Sequence, residues 1–195
     1  MSASDYIFDL MTNANSSALV SPHQHRAIFL DRDGVLNEEM GDYVWRPEDF
    51  NVLPGVPESL ARLKAAGYYL IVVTNQAGIA KGLYTASQMR LCHDKLQQAC
   101  GNLIDALYFA PSHPSVSESL SRKPGSLMLE KAIARFHLDP SQCWIVGDRL
   151  RDLEAGARVG VKGILVGHSE ESTHQPHATN LAAATNIILT QENTY

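Results

Sequence analysis

Short apolar runs alternate with amphipathic stretches along most of this chain. The runs AIFL at 27–30 and YYLIVVTN at 68–75 are apolar throughout, which is typical of parallel strands covered on both faces. Between them, VPESLARLKAAG at 56–67 spaces its apolar residues along one helical face and ends at a glycine, the pattern of an amphipathic helix. Regular alternation of strand and helix predicts an α/β domain with a doubly wound, mostly parallel sheet.

The same alternation continues to the end of the chain. Thr85 or Ser87 is the expected cap of a helix at 85–101. The last stretch, 178–189, predicts a short helix and an edge strand. Three further strands and two further helices complete the prediction: strands at 104–111, 142–148 and 162–167, and helices at 125–138 and 151–160.

The first 25 residues break the pattern, because they are rich in Ser, Asn and His. We expect residues 1–25 to form an extension outside the core, with a short helix at Asp5–Met11. Residues 26–195 are then predicted to form a single domain, which suits the length of 195 residues.

Composition narrows the possible partners. A net charge of −5 and a pI of about 5.9 disfavour nucleic acid as a partner. Proteins that bind the phosphate backbone of nucleic acids usually carry a basic patch. The odd count of three cysteines predicts reduced, partly buried thiols rather than a disulfide framework. The sequence has no apolar run long enough for a membrane span and no basic segment typical of a signal peptide. We therefore expect a soluble, cytoplasmic protein without a membrane partner.

Polar residues follow the predicted strands at the point where each strand ends. In such sheets ligands bind at the carboxyl ends of the strands, so these side chains are expected at one edge. They are Asp31 and Asp33 after the first strand, Thr74, Asn75 and Gln76 after the second, Arg122 and Lys123 beyond the third, and Asp148 after the fourth, with Asp152 one helical turn later.

Three of these carboxylates, on Asp31, Asp33 and Asp148, are expected to converge. Carboxylate oxygens suit Mg²⁺, which also accepts phosphate oxygens as ligands. Lys123 and Thr74 would add a second positive charge and a hydroxyl donor. A phosphoryl group fits among these partners, and one carboxylate can act as nucleophile while another transfers protons.

Four motifs carry a family resemblance: DRDGVLN, VVTNQ, RKPG and VGDRLRD, in this order between residue 27 and about residue 166. Together they resemble the haloacid dehalogenase-like phosphatase superfamily. The resemblance implies a Rossmann-like core with a minimal cap. It also implies Asp31 as nucleophile, Asp33 as general acid/base, and Thr74 and Lys123 as ligands of the transferring phosphoryl group. Asp148, Asp31 and the Asp33 backbone carbonyl would hold Mg²⁺.

Finer features resemble one subfamily, which contains D-glycero-D-manno-heptose 1,7-bisphosphate 7-phosphatases and histidinol-phosphate phosphatases. They are TNQAGIAKG at 74–82 and RKPG at 122–125. The resemblance implies that loop 38–46 lines the substrate pocket. The substrate-binding residues it suggests are Glu39, Gly41, Asp42, Asn75, Gln76, Arg122 and Arg149.

Plainer roles are open for some of these residues. Asn75 and Gln76 are also suited to satisfying loop backbone groups. Arg149 is also suited to pairing with an acidic neighbour. Asp152 either orients Lys123 or a metal-bound water, or is a first-turn acidic residue favoured by the helix dipole.

The segment before RKPG departs from the subfamily, whose members often hold a structural zinc there with Cys and His. Here Ala110, Ser112, Ser119 and Ser121 occupy the ligand positions. His113 alone does not make a site, so we predict that this protein binds no zinc.

The function expected from these residues is a Mg²⁺-dependent phosphomonoesterase acting on a small phosphorylated sugar or metabolite. A polynucleotide 3′-phosphatase is an alternative, since its core carries similar motifs, although the acidic pI opposes it. A non-catalytic phosphate-binding protein is a third alternative, but all five residues implied in the chemistry are present. The resemblance to small-cap members also implies a monomer.

Overall fold

The computed structural model describes residues 25–113, 115, 119–167 and 176–192. The predicted extension and its short helix lie outside these residues, except for His25. That residue is joined to the domain: its N–H donates to the His137 carbonyl at 3.3 Å, and its carbonyl accepts from Asp139 N at 2.8 Å. His25 is therefore joined to the domain, and the boundary at residue 26 stays a prediction.

Each predicted strand and helix after residue 26 is present. Thr85 is the cap of the second helix: its Oγ1 accepts from Gln88 N at 3.2 Å, and the Gln88 side chain accepts from Thr85 N at 2.9 Å. The strands are β1 Ala27–Leu30, β2 Tyr69–Asn75, β3 Ala106–Ala110, β4 Trp144–Gly147, β5 Lys162–Val166 and β6 His177–Ala178. The helices are α1 Val56–Ala65, α2 Ala86–Ala99, α3 Leu127–Phe136, α4 Leu150–Ala157 and α5 Leu181–Glu192.

The six strands form one parallel sheet in the order β3-β2-β1-β4-β5-β6, which confirms the predicted fold class. The chain order reverses between β1 and β4, where Ile28 pairs with Trp144 and Leu30 with Val146. Ligands of doubly wound folds bind in the crevice beyond the carboxyl ends of the strands at such a reversal. Asp31 and Asp148 are the residues that follow β1 and β4 there.

The buried residues of β1 divide between two apolar cores, because alternate side chains of a strand face opposite sides of the sheet. Ile28 and Leu30 belong to the core formed with α1, α2 and α5. Ala27 and Phe29 belong to the core formed with α3 and α4. With helices on both faces, the sheet can carry strands that are apolar throughout, and only its ends remain for polar chemistry.

Cys92, Cys100 and Cys143 are free and buried, as predicted. Burial raises the pKa of the Cys100 and Cys143 thiols to about 11. Among the described helices, none combines the length and apolar character needed to cross a membrane.

Candidate active site

A cavity of about 440 Å³ opens at the carboxyl ends of the strands. Three of its lining residues are Asp31, Thr74 and Asp148. With the buried Lys123, which contacts Asp31, and the buried Asp152, which contacts Lys123, they form the group that we name the floor. The outer part of the cavity, the rim, consists of Glu39, Gly41, Asp42, His113, Arg122, Arg149 and Arg151. All seven predicted substrate-binding residues line the cavity: Glu39, Gly41, Asp42, Asn75, Gln76, Arg122 and Arg149.

Lys123 is the centre of the floor. Its buried ammonium group lies 2.9 Å from Asp31 Oδ1 and 2.8 Å from Asp152 Oδ1, and it donates to the Val73 carbonyl at 2.7 Å. These contacts join β1, β2 and α4 at one atom. Of the roles open to Asp152, orienting Lys123 matches these contacts, and so does the role of a first-turn acidic residue. Asp152 Oδ2 also accepts from Arg149 N at 3.1 Å, so the same carboxylate caps α4.

Asn75 fixes the main chain of Lys123. Its Nδ2 donates to the Lys123 carbonyl at 3.1 Å, and its Oδ1 accepts from Lys123 N at 3.0 Å. The side-chain amide is thereby occupied by backbone groups, as in the plainer of the two roles considered above. Asn75 thus holds the loop that carries Lys123. It also lines the cavity, and its substrate contact stays a prediction.

The carboxylates of Asp31, Asp148 and Asp152, which we name the acidic cluster, place one oxygen each within 4.8 Å of one another. Close packing at Gly34 permits this approach, because a Cβ there would lie 2.7 Å from Asp148 Oδ2. The Asp33 carboxylate, predicted to converge with Asp31 and Asp148, lines the same cavity but is not one of the three carboxylates in this cluster. Since β1 ends at Leu30, the alternation of the strand does not extend to Asp33.

The Asp33 carboxylate is held instead by three neighbours. Arg32 donates from Nη2 to Oδ1 at 2.8 Å and from Nε to Oδ1 at 3.1 Å. Asn37 Nδ2 donates to Oδ1 at 3.1 Å, and Gln76 Nε2 donates to Oδ2 at 3.3 Å. Asp33 lines the cavity, so its carboxylate lies beside the acidic cluster without belonging to it.

Burial controls the protonation of the floor. Desolvation raises the pKa of Asp31 to about 7, although the nearby Lys123 ammonium opposes the rise. Desolvation, with a contribution from Asp152, raises the pKa of Asp148 to about 6. Burial by itself would lower the pKa of Lys123, but the charges of Asp152 and Asp31 outweigh it and the pKa is raised. Three carboxylates thus share one buried cation, which leaves room for further positive charge.

Thr74 and Gln76 form a buried pair at the end of β2. Gln76 Nε2 donates to Thr74 Oγ1 at 2.9 Å, and Gln76 Oε1 accepts from Tyr84 OH at 2.7 Å. Because Thr74 Oγ1 accepts this bond, its own proton remains for an acceptor in the cavity. Gln76 is thus engaged by protein groups at both ends of its amide. It also lines the cavity, and its substrate contact stays a prediction.

The rim side chains have mainly local contacts. Glu39 Oε1 accepts from Gly41 N at 2.9 Å, and Arg149 Nε lies 3.1 Å from Asp148 Oδ2. Arg122 Nη1 donates to the Ser112 carbonyl at 3.3 Å. Arg149 is therefore placed both to pair with its acidic neighbour and to reach into the cavity, the two roles considered from the sequence.

Three ionisable residues line the cavity without having been predicted as substrate-binding or catalytic: Arg32, His113 and Arg151. Arg151 lies two positions after Arg149 in the first turn of α4, and this repeated arginine was a usable signal. Arg32 lies between the two motif aspartates, and no pattern indicates that its side chain would be buried with them. His113 was considered only as a zinc ligand.

Two of the serines at the subfamily's zinc positions are in contact. Ser119 Oγ and Ser121 Oγ lie 2.8 Å apart, and Arg122 N donates to the Ser119 carbonyl at 3.1 Å. Hydrogen bonds thus hold this part of the loop. Hydroxyls are poor zinc ligands compared with thiolate and imidazole, and the absence of zinc stays a prediction.

Comparisons with known proteins agree with this geometry. A family model described as HAD-hydrolase-like matches residues 120–189. The D-glycero-D-manno-heptose-1,7-bisphosphate 7-phosphatase of Chlorobaculum tepidum is 36% identical over 168 residues, covering 78% of this chain and 84% of the relative. The D-glycero-alpha-D-manno-heptose-1,7-bisphosphate 7-phosphatase of Burkholderia mallei is 41% identical over 147 residues. The match covers 71% of this chain and 77% of that relative.

A solved structure extends the similarity to three dimensions. The D,D-heptose 1,7-bisphosphate phosphatase of B. bronchiseptica, complexed with magnesium and phosphate, is 31% identical with a TM-score of 0.76. The alignment covers 86% of this chain and 99% of that one.

Proposed function

Because this chain belongs to the haloacid dehalogenase-like phosphatases and is a phosphoric monoester hydrolase, we propose that it removes the 7-phosphate of D-glycero-D-manno-heptose 1,7-bisphosphate. The proposed reaction depends on Mg²⁺ and proceeds through an aspartyl-phosphate. The relatives described above support the choice of substrate, since those of C. tepidum and B. mallei are both named for this bisphosphate.

The observation that carries the proposal is the buried Lys123 between Asp31 and Asp152. A phosphoryl group carries up to two negative charges, and it needs fixed cationic and hydroxyl partners to approach a carboxylate nucleophile. Lys123, buried in contact with Asp31, supplies the cation, and the hydroxyl proton of Thr74 supplies a donor. Asp152 keeps the ammonium group in place and charged.

In the first step, Asp31 attacks phosphorus and the bond from phosphorus to the sugar oxygen breaks. Both described contacts of the Asp31 carboxylate use Oδ1, with Arg32 N at 2.7 Å and Lys123 Nζ at 2.9 Å. Oδ2 is therefore the attacking atom. The protonated Asp33 carboxyl donates its proton to the leaving alkoxide, which would otherwise be a poor leaving group.

In the second step, water attacks the phosphorus of the aspartyl-phosphate. The Asp33 carboxylate accepts the proton of this water, and the bond between phosphorus and Asp31 Oδ2 breaks. Inorganic phosphate leaves, Asp31 returns as a carboxylate, and Asp33 is again protonated for the next turnover. One residue thus serves as acid and then as base.

The residues fit Mg²⁺. The acidic cluster has three carboxylates around a single buried cation, and carboxylate oxygens are the donors that Mg²⁺ prefers. We assign Asp31, Asp148 and the Asp33 backbone carbonyl as ligands, since Asp152 is engaged by Lys123 and Arg149. When bound, Mg²⁺ would neutralise charge on the phosphoryl oxygens.

The charge of the rim supports a substrate with a second anionic group. Arg122, Arg149 and Arg151 line the same cavity as the floor, together with His113. Three guanidinium groups suit a second phosphate, because each can form paired hydrogen bonds with its oxygens. The carboxylates of Glu39 and Asp42 on loop 38–46 can accept bonds from sugar hydroxyls.

Those two carboxylates also favour a second candidate, histidinol phosphate. Its amine and imidazole are cationic near neutral pH, and both would be attracted to Glu39 and Asp42. The arginines weigh against it, because a monophosphate brings them no second phosphate group to bind.

The test is phosphate release by the purified protein, with Mg²⁺, from a panel of phosphomonoesters. The panel holds both anomers of the heptose 1,7-bisphosphate, histidinol phosphate, several sugar monophosphates and an oligonucleotide with a 3′-phosphate. We expect the highest kcat/KM for one anomer of the bisphosphate, with loss of activity in EDTA and recovery on adding Mg²⁺. A higher value for histidinol phosphate or the oligonucleotide would replace the proposed substrate.

A further inference from the structure

Asp33 is connected to loop 38–46 through the buried side chain of Arg32. Arg32 Nη2 donates to Asp33 Oδ1 at 2.8 Å and also to the Val44 carbonyl at 2.7 Å. The guanidinium group packs 5.5 Å from the Phe50 ring centroid, which fixes its plane. A rigid, planar cation therefore joins the acid/base carboxylate to the main chain of the loop.

A second connection reaches Asp33 from the opposite side. Gln76 Nε2 donates to Asp33 Oδ2 at 3.3 Å, and Tyr84 OH donates to Gln76 Oε1 at 2.7 Å. The Tyr84 ring in turn stacks on Trp45 of loop 38–46, with ring centroids 6.0 Å apart and planes at 10°. Tyr43 of the same loop contacts this ring at 5.9 Å.

The position of Tyr84 is tightly fixed. A Cβ at Gly78 would lie 2.2 Å from Tyr84 Cε1, so the chain between β2 and α2 closes around the ring only because this residue is glycine. Burial raises the pKa of Tyr84 to about 12, which keeps the hydroxyl protonated at neutral pH.

The direction of the hydrogen bonds is set at Asp33. Both oxygens of the Asp33 carboxyl accept hydrogen bonds, Oδ1 from Arg32 and Asn37 and Oδ2 from Gln76. Gln76 thus turns its NH₂ group towards Asp33 and its carbonyl away from it. The carbonyl then needs a donor, and Tyr84 OH is that donor. Without the Tyr84 hydroxyl, Gln76 Oε1 would lose its hydrogen-bond donor. The side-chain amide of Gln76 would then be held less firmly in the orientation that directs its NH₂ group towards Asp33.

We propose that Gln76 and Tyr84 are positioning residues that orient Asp33 for proton transfer, and that loop 38–46 controls this orientation through Trp45. The proposal rests on the proposed function, since it concerns the acid/base residue of that reaction. When loop 38–46 is seated on Tyr84, both connections hold the Asp33 carboxylate in one rotamer.

The first half-reaction needs the proton of Asp33 only when the leaving group is a poor one, whereas the second half-reaction always needs Asp33 as base. This difference supplies the test. With an alkyl phosphate, the departing oxygen needs the proton of Asp33. With p-nitrophenyl phosphate, the bond from phosphorus to oxygen breaks without that proton, because p-nitrophenolate is a stable anion. Hydrolysis of the aspartyl-phosphate needs Asp33 as base whichever substrate formed it.

The first variant is Tyr84→Phe, which removes the hydroxyl and keeps the ring. We expect kcat on the sugar phosphate to fall about 10-fold with KM changed about 2-fold or less, because proton transfer is lost and binding is not. With p-nitrophenyl phosphate we expect a rapid burst of one p-nitrophenol per active site, followed by slow turnover. Hydrolysis of the aspartyl-phosphate then limits the rate.

Tyr108→Phe is the matched control. Tyr108 is on β3 and packs against the core on the α3 and α4 face. This variant loses the same hydroxyl and should behave as wild type. Trp45→Leu tests the loop connection, and we expect the same selective loss of kcat and the same burst.

Gln76→Leu should give a larger fall in kcat on the sugar phosphate, about 100-fold, with the same burst. Thermal unfolding of each variant separates misfolding from misorientation. If folded Tyr84→Phe has the same kcat as wild type on the sugar phosphate and on p-nitrophenyl phosphate, the proposal is overturned. Losses of the same size on both substrates without a burst would also overturn it. If wild type releases no phosphate from any phosphomonoester, the proposed function fails instead.

Discussion

The floor and the rim of the cavity differ in how far along the chain their contacts reach. Lys123 on the floor contacts Asp31, Val73 and Asp152, which belong to distant parts of the sequence. On the rim, the Glu39 side chain accepts from the backbone of Gly41, only two positions away. A side chain with hydrogen bonds to several strands can move only as far as the sheet itself moves. A side chain that contacts only its sequence neighbours can move independently of the sheet. We therefore expect the floor to keep its geometry more strictly than the rim.

Asp31→Asn should separate the two regions most strongly. An amide cannot form the aspartyl-phosphate, so we expect kcat to fall at least about 10⁴-fold, while substrate still binds at the rim. Phosphate release and binding of the bisphosphate by calorimetry measure the two effects. Asp105→Asn is the control, since Asp105 pairs with Lys64 elsewhere in the fold. Measurable turnover by pure Asp31→Asn near the wild-type level would refute the nucleophile assignment.

Lys123→Met should show that the floor also contributes to folding. Removing the ammonium group leaves Asp31 and Asp152 buried without their shared cation, which costs about 3–5 kcal/mol of unfolding free energy. Chemical denaturation without Mg²⁺ measures this loss.

The partly exposed pair between Lys64 and Asp105, at 2.6 Å, provides the matched comparison. Solvent screens such a pair, so Lys64→Met should cost only about 0–1 kcal/mol. Equal losses for Lys64→Met and Lys123→Met would mean that burial of the floor is not what makes its ion pairs matter.

Arg122→Ala tests the rim. If its guanidinium binds the second phosphate, KM for the bisphosphate should rise about 10-fold, with a smaller effect on kcat. A sugar monophosphate should be affected less, because it lacks the group that Arg122 would bind. Arg158→Ala, at the exposed end of α4, is the control. A change confined to kcat would instead place Arg122 with the floor.

The smallest expected effect is the dependence of stability on pH without metal. The pKa of Asp31 is about 7 and that of Asp148 about 6 in the fold, against about 4 for an unfolded Asp. The folded protein thus holds more protons between these values, and stability is lost as the pH rises from about 4 to about 7. Mg²⁺ should offset this loss, because it competes with protons for the same carboxylates.

Thermal unfolding at pH 5 and pH 7.5, with and without Mg²⁺, measures both changes. We expect stabilisation by Mg²⁺ to be greater at pH 7.5. Asp31→Asn should show a weaker pH dependence than wild type. The same dependence in both proteins would mean that Asp31 does not titrate in this range.

The fold was predictable because the central strands β1, β2 and β4 are buried along most of their length. Runs such as AIFL and YYLIVVTN leave little alternative to a covered parallel strand, and Thr85 signalled the start of its helix. The floor was predictable for a similar reason, since Asp31 and Asp148 directly follow adjacent strands. These inferences depend on the backbone path alone.

The remaining site residues depend on side-chain rotamers, which a sequence pattern does not determine. Asp33 lines the cavity, but Arg32 donates to its carboxylate, which is not one of the three in the acidic cluster. Asn75 and Gln76 also line the cavity, while backbone and hydroxyl groups bond to their amides. Polar side chains near a strand end compete for protein partners first, and only geometry reveals which remain for a ligand.

The pairing of the Asn75 amide with the backbone of Lys123 has a consequence for how such proteins diversify. Two hydrogen bonds, at 3.1 and 3.0 Å, hold the main chain of Lys123 from the strand side, in addition to the bond from Arg122 N to the Ser119 carbonyl in the loop that precedes it. Side chains of that loop can therefore change while the strand still holds the lysine. The serines at 112, 119 and 121 are side chains of this kind. The segment is a suitable place to introduce a new specificity while the proposed catalytic residues keep their positions.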